Sequence, residues 1–152
     1  MKNTTVTRVE IRNDLELSLI IFFTINEKSA MPRRNMKNTG VSFNTTADGQ
    51  LQQTSDFEGT ATGFGAVFGT LVITQSLAEA GATSGPCAWV GKALLDDNSI
   101  LGGIGTGTYE QIGSEAKFKI SMNLDVSDGS KLRSEGVVDH PSRSYTGQLY
   151  EG

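Results

Sequence analysis

The strongest pattern in this chain is an alternation of apolar and polar residues between positions 116 and 126. Apolar residues occupy every even position of the segment, and polar residues occupy the odd positions between them. A period of two places successive side chains on opposite faces of a sheet, so the pattern predicts a strand with one buried and one solvated face. The residues on the predicted buried face are Ala116, Phe118, Ile120, Met122, Leu124 and Val126.

The preceding segment, residues 100–112, is predicted to be a strand of a different kind. It contains Gly102, Gly103, Gly105 and Gly107. Glycine inside a strand is typical of a bend, a bulge or the close approach of another group. Gly113 is followed by serine, a pair that favours a turn, so the two strands are predicted to form a hairpin.

Strand patterns separated by turn residues recur along the rest of the chain. Such short strands, with no convincing amphipathic helix among them, predict an all-β protein. Their meander order favours one closed antiparallel barrel of about eight strands, because closure removes the exposed edges. The single domain is expected to cover residues 1–152. The other predicted strands are 4–12, 15–25, 41–46, 50–63, 64–76, 86–95, 131–138 and 144–150.

Residues 26–40 interrupt the periodic pattern. The segment contains Pro32 together with several charged and amide side chains. We predict a long loop here, and loops of this length are usually functional or mobile. Its basic residues, Arg33, Arg34 and Lys37, are expected to be solvated.

The most apolar segment is Leu15–Ile25, in which both strand faces carry apolar residues. One face is expected to pack in the barrel. Exposed apolar surfaces often mark interfaces, so the other face is expected to contact a second copy of the protein. The sequence therefore predicts a homo-oligomer that assembles through Leu15–Ile25.

Composition and charge exclude several classes of function. The 152 residues include 13 basic and 17 acidic side chains, a net charge of −4, which argues against nucleic acid as a partner. No apolar run approaches the roughly 20 residues of a membrane helix, and no signal peptide is evident, so a cytoplasmic protein without membrane contact is expected. Cys87 is the only cysteine and His140 the only histidine. No disulfide, metal site or cofactor is expected.

Residues 97–113 resemble a segment of allene oxide cyclases and dirigent proteins. In those proteins a strand runs into a Gly-Gly-x-Gly segment, followed by an aromatic residue and a further glycine. Gly105, Gly107, Tyr109 and Gly113 follow that order, with the last spacing one residue short. The resemblance implies an eight-stranded, calycin-like barrel that is often oligomeric and whose pocket can guide a reactive intermediate. Several bacterial families of unknown function share this barrel shape, and the chain is similar to one of those.

Glu110 is the candidate catalytic residue, since it lies beside Tyr109 as a carboxylate does in the segment that the chain resembles. If its face points into the barrel, Glu110 is a buried carboxylate suited to acid or base chemistry. If its face points outward, it is one more solvated charge. Cys87 lies without an assignable base and is expected to be buried and inert. The candidate ligand contacts are Trp89, Tyr109, Phe68, Phe118 and Tyr145.

Small residues on otherwise bulky strands indicate a possible cavity. On an inward face they would leave a void, which a ligand or a bulky neighbour must fill. We therefore predict a barrel that binds a small, largely apolar molecule, either as a carrier or as a cyclase or isomerase that acts by positioning. The alternative is a self-association module with a packed interior. The small residues are Gly59, Ala61, Ala66, Gly91, Ala93, Gly136 and Gly147.

Overall fold

The computed structural model describes residues 33–152, which form a closed barrel of eight antiparallel strands. Each strand pairs with the next along the chain, and β8 pairs back with β1, so the predicted all-β meander barrel is confirmed. A single turn of 3₁₀-helix, Leu77–Glu79, lies between β3 and β4. The strands are β1 (Arg33–Thr45), β2 (Leu51–Ala61), β3 (Gly65–Gln75), β4 (Ser84–Leu94), β5 (Ile100–Gln111), β6 (Lys117–Val126), β7 (Lys131–Asp139) and β8 (Ser144–Glu151).

Strand β1 corrects the prediction of a loop over residues 26–40. Residues 33–40 belong to β1, with Arg34 and Met36 buried and their neighbours exposed. The loop prediction was wrong there because a charged residue occupies an inward position and hides the period of two. Residues 26–32 and the predicted strands at 4–12 and 15–25 lie outside the described residues. The single-domain prediction over 1–152 therefore remains a prediction.

The glycine-rich hairpin is formed by β5 and β6, as predicted. Gly107 lies opposite Met122, and a Cβ atom added to Gly107 would lie only 2.7 Å from the Cα atom of Met122. The bare backbone of β5 is thus required by the close approach of β6. Gly113 has a positive φ of 60° in the turn between the two strands, a conformation that glycine adopts without strain.

A layer of three aromatic rings closes the barrel near its middle. The ring of Phe57 is 5.2 Å from that of Tyr145, and the ring of Trp89 is 6.0 Å from that of Tyr145. The tilted and edge-to-face arrangements are those that aromatic pairs prefer. The layer separates the interior into two cups, one at each end.

Three of the seven predicted small residues are covered by bulky side chains. The Trp89 ring lies over Gly91 and also over Gly69, and the Arg34 guanidinium lies over Gly136 and Gly147. Much of the expected void is therefore filled by side chains of the protein itself. Ala66 lies on the outer face, opposite the exposed Leu94.

The two ends of the barrel are distinguished by their connections. The first end carries the turns at 62–64, 95–99 and 127–130, and the second end carries those at 46–50, 76–83, 112–116 and 140–143. Within residues 33–152, no helix is long and apolar enough to cross a membrane. The same residues contain no cluster of three or more potential metal-ligating side chains.

Candidate functional site

The first end of the barrel opens into an apolar cup, which we call the first-end cup. It encloses about 80 Å³ above Trp89, with Arg34 at its floor. Its lining residues come from all eight strands, mostly from inward positions, and from the turn after β2, so the barrel interior itself forms the cup. The apolar side chains that line it are Ala61, Phe64, Val67, Ala93, Leu101, Leu124, Val126, Leu132 and Leu149.

Arg34 is the most unusual residue of this site, because its charged side chain is only 6% exposed. Its Nη1 donates a 2.6 Å hydrogen bond to the Ser134 hydroxyl, and its Cζ lies 4.0 Å from the centre of the Tyr145 ring. Its Nε and Nη2 atoms have no hydrogen-bond partner among residues 33–152. The Tyr145 hydroxyl also lacks a partner among these residues. Ser134 lies close enough to that hydroxyl to oppose the rise in the pKa of Tyr145.

The electrostatics of this cluster are dominated by burial. Burial lowers the pKa of Arg34, an effect that the nearby Tyr145 partly opposes. Burial raises the pKa of Tyr145, and the Arg34 charge partly opposes that shift. The phenol is therefore neutral near pH 7. No carboxylate forms an ion pair with Arg34 within residues 33–152.

The second end has a more polar cup, which encloses about 120 Å³. Here the Gln75 Nε2 donates a 2.7 Å hydrogen bond to the Tyr109 hydroxyl. The Phe118 ring packs against Tyr109 and against His140, which lies in the turn after β7. The groups that bound this cup therefore already contact each other. Arg34, at the floor of the first-end cup, differs because two of its nitrogen atoms have no hydrogen-bond partner among residues 33–152.

Four of the five predicted ligand contacts lie in the barrel interior, but the structure separates them. Trp89 and Tyr145 belong to the central aromatic layer, and Tyr109 and Phe118 line the second-end cup. Phe68 lies on the outer face and is 49% exposed, so it is not part of the interior.

Glu110 also lies on the outer face of the barrel. Its side chain is exposed, and it stands opposite Lys119 on β6, whereas its neighbour Tyr109 points inward. A catalytic role for Glu110 required an inward-facing carboxylate, and that position is not observed. Glu110 corresponds to the solvated alternative.

Cys87 is buried in the core, as expected. Burial raises the pKa of its thiol to about 11. Since the thiolate is the nucleophilic form, this environment opposes covalent catalysis by Cys87.

Arg34 and Ser134 are the site residues that the sequence did not indicate. Arg34 fell in the segment predicted as a loop. Ser134 shares the inward parity of Leu132 and Val138, and a polar residue at that position was the signal that could have pointed to a buried polar group.

These features define the protein as a closed eight-stranded antiparallel barrel with an apolar cup over a buried arginine. Comparisons with protein-family models, curated proteins and solved structures found no significant match to the chain. The resemblance to allene oxide cyclases and dirigent proteins is therefore supported only in the architecture of the barrel.

Proposed function

We propose that the barrel binds a small, largely apolar molecule in the first-end cup. The observation that carries this proposal is the open, apolar interior at the first end, above a floor of Trp89 and Arg34. Concave apolar sites with a few polar groups are the usual form of small-molecule sites. The volume of about 80 Å³ suits a short molecule, or one end of a longer molecule whose remainder extends into solvent.

Binding is favoured over acid–base catalysis. Neither cup is lined by an aspartate or glutamate of residues 33–152, and His140 lines the second-end cup but not the first-end cup. A cyclase that acts by positioning alone would not need such a group. The relationship to cyclases and to bacterial barrels of similar shape stays a hypothesis about ancestry, and the proposed activity is binding.

Gly103 offers a direct test, because its side-chain position points into the first-end cup. A Cβ atom at Gly103 would meet nothing closer than the Asp125 carbonyl oxygen, at 3.9 Å. We expect Gly103→Leu to fold and to fill the cup, which would abolish the binding of neutral alcohols from 1-butanol to 1-octanol. Such small ligands bind with millimolar affinity at best, so saturation-transfer difference NMR is the suitable measurement.

The control is Thr106→Leu on the same strand. Thr106 has the outward parity, its side chain is exposed, and it does not line the first-end cup. This variant is expected to bind the alcohols as the wild type does. Failure of every alcohol to bind the wild-type protein, or equal binding by both variants, would contradict the proposed site.

A second candidate function, self-association, is favoured by the outer face of β3, β4 and β5. Phe68, Val90 and Ile104 are 49%, 52% and 60% exposed. Val90 lies directly opposite Ile104, so part of this apolar surface is continuous. Exposed apolar patches of this kind tend to mark interfaces.

Charge complementarity at this patch favours a second copy of the chain as the partner. Glu58, Phe68 and Lys92 lie opposite one another in a row across β2, β3 and β4. A two-fold axis through Phe68 would place Glu58 of each copy against Lys92 of the other, which is the self-complementarity of an isologous dimer. The predicted oligomer contact through Leu15–Ile25 lies outside the described residues and remains a separate prediction.

Sedimentation velocity tests this dimer by charge reversal. Glu58→Lys and Lys92→Glu are each expected to dissociate it, because each creates like-charge contacts across the axis. The double variant is expected to restore the wild-type sedimentation coefficient. A monomeric wild type, or single variants that sediment as the wild type does, would exclude the contact.

A further inference from the structure

The Arg34 guanidinium is a buried charge whose hydrogen bonds are incomplete within the described residues. Its Nη1 contacts Ser134, while Nε and Nη2 have no partner among residues 33–152. Buried charges in proteins are normally paired with an opposite charge, because removing an isolated charge from water is costly. The Tyr145 ring beneath the guanidinium supplies a cation–π contact but no counter-charge. An anion would therefore complete this cluster.

The geometry of the free atoms indicates what kind of anion fits. Nε and Nη2 lie along one edge of the planar guanidinium, and their hydrogen atoms point in the same direction. That edge matches the two oxygen atoms of a carboxylate, which arginine binds through two parallel hydrogen bonds. The Tyr145 hydroxyl is a further buried, neutral group of this cluster that has no hydrogen-bond partner within the described residues.

The surroundings of Arg34 define the rest of the ligand. The lining of the cup above it is otherwise almost entirely apolar. Two lining residues are basic, the buried Arg34 and Lys92, whose side chain is exposed. A multiply charged phosphate would need more than one cationic partner inside the barrel, and Arg34 is the only basic residue buried within residues 33–152. A monovalent acid with an apolar body fits both the single charge and the lining.

We propose that the first-end cup selects small carboxylic acids and that Arg34 recognises their carboxylate through Nε and Nη2. This inference rests on the proposed binding function. Both nitrogen atoms are shielded from solvent, and Nη2 lies against Gly136 and Gly147, so binding requires the side chain to tilt toward the cup. The tilt exchanges the single Ser134 hydrogen bond and the contact with Tyr145 for a bidentate ion pair.

The test compares hexanoate with 1-hexanol, which share the same apolar chain and differ in the head group. Dissociation constants are measured by NMR titration at pH 7.5 for the wild type, Arg34→Met and Arg34→Lys. We expect the wild type to bind hexanoate about tenfold more tightly than 1-hexanol, the gain typical of a charge-assisted hydrogen-bonded pair. Arg34→Met should reverse this preference, because a buried carboxylate would then have no cationic partner.

Arg34→Lys tests the shape of the recognition as well as the charge. Lysine keeps the positive charge but lacks the planar fork, so the preference for hexanoate should be reduced relative to arginine. Far-UV circular dichroism spectra that match the spectrum of the wild type check that both variants are folded.

The outcomes separate this inference from the proposed function. If the wild type binds the acid and the alcohol equally, or if Arg34→Met keeps the acid preference, carboxylate recognition by Arg34 is overturned while the cup remains a binding site. If neither compound binds the wild type, both proposals fail.

Discussion

Gly107→Ala is expected to destabilise the barrel strongly. The added Cβ atom would overlap the Ser121 carbonyl oxygen and lie 2.7 Å from the Cα atom of Met122. Both are backbone atoms of β6, so relief would require the two strands to separate where they pair. Overpacking usually costs 1–3 kcal/mol when side chains can adjust, and we expect about 4 kcal/mol or more here because the obstacle is backbone. Urea unfolding followed by circular dichroism measures the loss.

Gly102→Ala is the matched control for this substitution. Gly102 lies on the same strand, yet a Cβ atom there meets nothing within 4 Å. Its stability should equal or slightly exceed that of the wild type, because alanine loses less backbone entropy on folding than glycine. A Gly107→Ala protein as stable as Gly102→Ala would contradict the close pairing of β5 and β6.

Trp89→Ala is expected to cost about 3–5 kcal/mol of unfolding free energy, the range measured for truncating large buried aromatic residues. The Trp89 ring packs against Phe57 and Tyr145 and occupies the space over Gly69. Because glycine has no side chain, Gly69 cannot fill that space when the ring is removed. Its removal leaves an apolar cavity in the middle of the barrel. Equilibrium unfolding in urea checks the loss.

Indole provides a specific rescue of this variant. An apolar cavity of suitable shape binds a matching apolar molecule, and a ligand that binds only the folded state raises stability by mass action. Added indole should therefore restore part of the lost stability of Trp89→Ala and leave the wild type unchanged. The control Val90→Ala, at a position 52% exposed on the outer face, should change stability by no more than about 0.5 kcal/mol. A loss for Trp89→Ala as small as that of Val90→Ala would contradict the central aromatic layer.

The strands that could be predicted were those whose interior positions are apolar or small. In β6 apolar and polar residues alternate without interruption, and Ile120 and Met122 are buried as the pattern requires. The turn at Asp128 and Gly129 could also be predicted, because an Asp-Gly pair favours a hairpin turn. In the structure Gly129 adopts a positive φ of 93°. These local features agree with the global fold and so are visible in the sequence.

Strand β1 was missed because two features break its pattern. Arg34 places a charge at an inward position, and the register against β2 shifts between Asn38 and Gly40. After this irregularity the position opposite the buried Ser55 is Val41, so the inward parity changes from even to odd. A segment with a buried charge and a change in the parity of its inward positions shows no regular period of two, so its sequence predicts a loop.

The candidate site was only partly predictable for the same reason. The aromatic residues Trp89, Tyr109, Phe118 and Tyr145 could be recognised as interior candidates from their residue type. Which face of β5 points inward depends on how whole strands pair with each other. The observed pairing places Glu110 on the outer face. Arg34 became visible as a site residue only once the strands that surround it were assembled.

The central claim is that the first-end cup binds a small acid over Arg34, and an NMR titration tests it most directly. Hexanoate is added to the ¹⁵N-labelled protein, and backbone amide and arginine Nε–H signals are followed. The account predicts that the Arg34 Nε–H signal shifts strongly downfield, together with the amides of Gly103, Leu124 and Leu149 around the cup. An unmoved Arg34 signal would contradict it, as would shifts confined to the second-end cup or to the outer face around Val90.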